Sequence, residues 1–164
     1  MLNSLPNCQN WTEEEITMLD LELSLPETEM PSLNHSYICS RILRQLFTID
    51  GIEALMELTL DLDKGLTPDI CVYPVATLTP NFSRDVTKVS TLPILAIEVI
   101  SASQNIQTLL EKAEYLVQAG VKVVWTVEPY TRSIFVTTAE GERIVYNSIV
   151  SFESIAVDFT QIFE

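Results

Sequence analysis

The stretch LPILAIEVISASQNIQTLLEKAEYLVQAGVKVVWTVEP, residues 92–129, decides the fold. Ile94–Ile100 is a short apolar run bounded by Pro93 and a serine-rich segment. It reads as a strand apolar on both faces, as an interior strand covered on both sides must be. Gln104–Ala119 then carries Ile106, Leu109, Leu110, Ala113, Leu116 and Val117 at helical spacing. Gly120 stops that helix, because glycine adopts the left-handed conformation a helix end requires. Val121–Val127 returns as a strand and Glu128-Pro129 ends it. Strand, helix and strand of these lengths make a βαβ crossover, so one parallel strand pair is expected.

Working outward, Leu55, Glu57, Thr59 and Asp61 alternate with Met56, Leu58, Leu60 and Leu62. This predicts a strand with one buried face. Asp69–Val75 predicts a second strand, and Asn34 opens a helix whose apolar positions are Ile38, Ile42, Leu43, Leu46 and Phe47. Further upstream, Thr12 to Glu15 forms a capping box, with Trp11 and Ile16 placed as its hydrophobic staple. Downstream, Ser133–Thr138 and Arg143–Tyr146 predict a C-terminal hairpin turned at Glu140-Gly141. The expected fold class is α/β (α+β): a mixed β-sheet flanked by helices, with one βαβ crossover and a C-terminal hairpin. We expect one domain over residues 1–164, with residues 1–24 as an N-terminal helical extension.

The chain has 164 residues, 47% of them hydrophobic, which suits one globular core and argues against disorder. Its start lacks the basic flank and apolar run of a secretory signal, and the most apolar run is interrupted by Glu98. A cytoplasmic protein that does not span a membrane is expected. Cys8, Cys39 and Cys71 are too widely spaced for a disulfide framework or a zinc knuckle, and with a single histidine zinc chemistry is not expected. The net charge is −14. Residues 1–63 carry twelve acids against two arginines, whereas residues 64–122 balance five against five. Such a surface repels phosphate backbones, so nucleic-acid binding should be weak.

Three charged residues stand against their local pattern. Glu98 lies within the most apolar strand, where an unpaired carboxylate costs several kcal/mol or stays protonated. Asp69 follows Pro68 at the opening of a neighbouring strand. Two carboxylates at adjacent strand ends repel unless a cation lies between them, and hard oxygen donors suit magnesium or manganese. Lys112 falls roughly 100° from the centre of the apolar stripe of its helix, at the boundary from which an amine reaches over the sheet. Taken singly, each has an ordinary structural explanation: a satisfied strand-end glutamate, a Pro-Asp turn, a snorkelling lysine.

The segments LTPDICVYP (66–74), LAIEVIS (95–101) and LLEKAEYLVQAGVKVVWTVEP (109–129), with His35-Ser36-Tyr37-Ile38 upstream, resemble the Uma two family of nucleases. That family sits within the PD-(D/E)xK superfamily, and the likeness spans about residues 25–147. The resemblance implies a restriction endonuclease-like core and phosphodiester hydrolysis assisted by Mg²⁺ or Mn²⁺. It makes Asp69 the aspartate of the PD motif and Glu98 the second acid. Lys112 supplies the lysine from the following helix, since Ile100 stands where the superfamily often has one. The backbone carbonyl of Val99 would join Asp69 and Glu98 as a metal ligand, with Glu27 or Glu29 as further candidates and His35 a weaker one. The partners implied are nucleic acid, DNA ahead of RNA, and a second copy in a homodimer.

The chain departs from the family in two places. Ser101-Ala102-Ser103 and the uncharged Gln104-Asn105-Ile106-Gln107 replace a Ser-Pro-Ser followed by charged residues, and Glu128-Pro129 replaces Asp-Pro. Two competing readings follow from these departures and from the net charge. One is a catalytically degenerate nuclease fold kept as an acidic interaction module; the other is a structural or regulatory protein whose acidic N-terminal part docks a basic partner.

Overall fold

The computed structural model describes residues 31–164 apart from residue 64. The expected N-terminal helix and the candidates Glu27 and Glu29 lie outside the described residues.

Helix α1, Leu33–Leu46, begins where the Ser32 side chain accepts a hydrogen bond from the His35 amide (3.2 Å). That cap satisfies one of the free amides of the first turn. The helix buries Ile38, Cys39, Ile42, Leu43 and Leu46. Then come β1 (Ile52–Met56), β2 (Ile70–Pro74), β3 (Leu95–Val99), α2 (Ile106–Ala119), β4 (Val123–Glu128), β5 (Ser133–Thr138) and β6 (Gly141–Tyr146). The six strands form one mixed sheet in sequence order, with β3–β4 parallel and its other pairs antiparallel. The crossover read from residues 92–129 is therefore present, and α2 is its connection.

Strand alternation divides the core into two layers. Ile70, Val72, Leu95, Ile97, Val99, Trp125 and Val127 face α1 and the C-terminal segment. Cys71, Tyr73, Ala96 and Val124 face α2, where Ala113 and Leu116 meet them. β3 is buried along its whole length, as expected of a strand covered on both faces.

Two elements differ from expectation. β1 ends at Met56, which is exposed, because Glu57 takes a left-handed φ of 50° and breaks the alternation. Leu60 is fully buried all the same, through isolated bridges to Leu66 and Val89. After β6, a second hairpin, β7 (Ile149–Phe152) and β8 (Ile155–Asp158), covers the α1 side of the sheet. Gln45 ties it to α1, accepting from the Asp158 amide (2.8 Å) and donating to the Asp158 carbonyl (3.0 Å). Phe159 meets Trp125 edge-on at 6.3 Å.

Candidate active site

The β2–β3 ladder closes with Ile70 opposite Ile97, so Asp69, just before β2, and Glu98, on β3, occupy the next positions. Asp69 is fixed from two sides. Its Oδ2 accepts a hydrogen bond from the Val99 amide (2.7 Å), and its Oδ1 lies 3.0 Å from Nε2 of His35 on α1. The aspartate thus joins the end of β3 to the first turn of α1.

Glu98 is 4% exposed and points toward α2. Burial pushes its carboxyl up to about 7; the positive charge of Lys112 opposes that rise and the negative charge of Asp69 adds to it. Lys112 Nζ lies 2.5 Å from Glu98 Oε1 in an ion pair. The same amine donates to the carbonyl of Thr67 (3.1 Å), two residues before Asp69. Lys112 therefore reaches from the helix boundary across to the opening of β2 and the end of β3, as its place on the helix wheel predicted. A second tie holds α2 over this loop, from Tyr115 Oη to Asp63 (2.6 Å).

The structure thus gathers Asp69, Glu98, Lys112 and the Val99 backbone at one end of β2 and β3. Ile100, where a lysine was not found, is buried and apolar. It lines a cleft of about 600 Å³ between the start of α2 and the β4–β5 turn, whose lining includes Phe135 and the exposed Tyr130. The carboxylates at adjacent strand ends, one of them buried against Lys112, offer the oxygen donors a hard divalent cation takes.

His35 belongs to this centre more closely than its sequence position indicated. The hydrogen bond to Asp69, then that with Cys39, holds its imidazole up to about 10 against the opposing effect of burial. Cys39 was not singled out by sequence reasoning. Its Sγ lies 3.9 Å from His35 Nε2, and donor atoms of His35, Cys39 and Asp69 all fall within 4.8 Å of one another. The available signal was the i, i+4 spacing of His35 and Cys39, which places both on one helix face.

The model of the Uma2 (Uma two) family, described as "putative restriction endonuclease", matches residues 12–157. The fold resembles the crystal structure of a "putative nuclease belonging to DUF820" from Anabaena variabilis, with a TM-score of 0.65 at 19% identity. That likeness covers 88% of this chain and 96% of the other. No curated protein matches the chain.

Proposed function

The chain belongs to the Uma2 family, and from that premise we propose that it is a divalent-metal-dependent endonuclease that hydrolyses phosphodiester bonds, with DNA as its substrate and Mg²⁺ or Mn²⁺ as its metal. The observation that carries this reading is the contact between Lys112 and the buried Glu98 beside Asp69. An unpaired carboxylate in that layer would be costly, and a lysine sent over from a helix to meet it is an expensive way to build a core. The cost is understandable if the same three groups act on a charged substrate.

In this reading Asp69, Glu98 and the Val99 carbonyl hold the cation. When bound, the cation supplies positive charge beside the scissile phosphate. The Val99 amide and His35 fix the rotamer of Asp69, so its carboxylate is presented in one orientation. Lys112, steadied by the Thr67 carbonyl, offers its ammonium to the attacking water and to the charge that develops on the phosphorus oxygens. The protein acts in the cytoplasm as a homodimer.

Calorimetric titration with Mn²⁺ and a plasmid-nicking assay test the proposal. The parent should bind Mn²⁺, Asp69→Asn and Glu98→Gln should not, and Lys112→Ala should lose nicking. A parent that binds neither Mn²⁺ nor Mg²⁺ would refute it and leave the interaction-module reading. That second reading draws on the net charge of −14 and the uncharged entry to α2 at residues 104–107.

A further inference from the structure

We propose that His35, Cys39 and Asp69 form a site for one thiophilic divalent cation of the zinc type, and that filling it withdraws Asp69 from the hard-ion centre. The second clause rests on the nuclease reading; the first does not.

Helix α1 provides the frame. Residues four apart lie one above the other on a helix, so His35 and Cys39 present an imidazole and a thiol to the same point. The fold then brings Asp69 to that point from the opening of β2. The Nε2–Oδ1 separation is 3.0 Å, the Sγ–Nε2 separation is 3.9 Å, and all three donors lie within 4.8 Å. Tetrahedral zinc, with bonds of roughly 2.0–2.3 Å, places its ligands about 3.3–3.8 Å apart. The donors already stand near that spacing, so small side-chain rotations bring them onto one ion. Asp69 is fixed through Oδ2 by the Val99 amide, so Oδ1, now paired with His35 Nε2, is the oxygen that turns to the ion.

The donors also line a space. A cleft of about 200 Å³ is bounded by His35, Cys39, Asp69, Met56 and Glu57. It gives an ion a way in, and it leaves room for a fourth ligand, either water or the Glu57 carboxylate. Three protein ligands with one open position is an arrangement zinc commonly takes. A thiolate–imidazole–carboxylate set selects zinc, cobalt or cadmium over magnesium and calcium, which demand more oxygen ligands. Cys39 binds as the thiolate and His35 as the neutral imidazole, so each ion bound releases two protons to solvent, the thiol proton and the one Nε2 shares with Asp69. Asp69 is shared with the Glu98–Lys112 centre. An ion held by α1 therefore competes for the carboxylate that the hard cation needs, and zinc would act as an inhibitor.

Cobalt(II) is the probe, because thiolate ligation gives a near-ultraviolet charge-transfer band that oxygen and nitrogen ligands do not. The whole chain, kept reduced, should develop that band to one equivalent, and Zn²⁺ should displace it. Cys39→Ser should abolish the band. A parent without the band, or a Cys39→Ser variant that keeps it, overturns the site. Should Cys39→Ser fail to fold by circular dichroism, the double variant Cys8→Ser/Cys71→Ala decides: its sole thiol is Cys39, so the band must remain. The shared aspartate is tested by calorimetry. One equivalent of Zn²⁺ should remove the Mn²⁺ binding isotherm of the parent, and an unchanged isotherm refutes the competition. If the parent binds no Mn²⁺ but shows the cobalt band, the nuclease reading and the competition clause fall while the site stands.

Discussion

At the scale of single residues, Glu98 and Lys112 form a pair whose energetics depend on pH. The folded-state pKa of Glu98 is about 7, above its ordinary value of 4.5. The stability linked to its proton is therefore fully present below pH 4.5 and is lost as pH rises toward 7. One proton sets a limit of about 1.4 kcal/mol per pH unit. In metal-free protein, urea midpoints should fall between pH 5 and 8, and Glu98→Gln should flatten part of that fall. Equal slopes in parent and variant would refute the assignment. Lys112→Ala leaves the carboxylate without its counterion, so it should cost about 1–3 kcal/mol at pH 8 and less at pH 5, where Glu98 takes up a proton. Both residues were legible in the sequence because each offends its own element, a charge inside an apolar strand and an amine beside an apolar stripe. Cys39 was not legible, because it lies on the apolar face of α1 and offends nothing there; only the arrival of Asp69 gives it a second meaning.

At the scale of elements, periodicity located β3, α2 and β4 to within a few residues, because a buried strand and an amphipathic helix each repeat one signal many times. It failed at β1. Alternation from Leu55 to Leu62 is present in the sequence, yet a single left-handed residue, Glu57, redirects the chain. No side-chain pattern encodes that backbone angle. Glycine adopts φ near 50° without the Cβ penalty, so Glu57→Gly should leave stability unchanged or raise it slightly, whereas Glu57→Val should lower it by about 1 kcal/mol or more in chemical denaturation. The reverse order would mean that the conformation carries no strain. β7 and β8 escaped notice because four residues hold too few repeats for alternation to be read.

At the scale of the whole molecule, the charge of −14 governs behaviour at a distance. Screening should relieve self-repulsion, so the melting temperature in metal-free buffer should rise as ionic strength goes from about 0.01 to 0.15 M, where the Debye length shortens from roughly 30 to 8 Å. A fall would contradict it. No helix among the described residues is long and apolar enough to cross a membrane. The homodimer expectation is open to light scattering, where a monomer mass would set it aside. The crossover also bears on how the protein acquires its site in time. β3 and β4 are the parallel pair, and parallel strands cannot zip from a tight turn; α2 must condense between them first. Glu98 lies on one of those strands, Lys112 on the connecting helix and Asp69 immediately before β2, the strand beside them. The constellation proposed to bind the metal should thus be a late product of refolding, and regained cation affinity after dilution from denaturant should lag behind the return of helical signal.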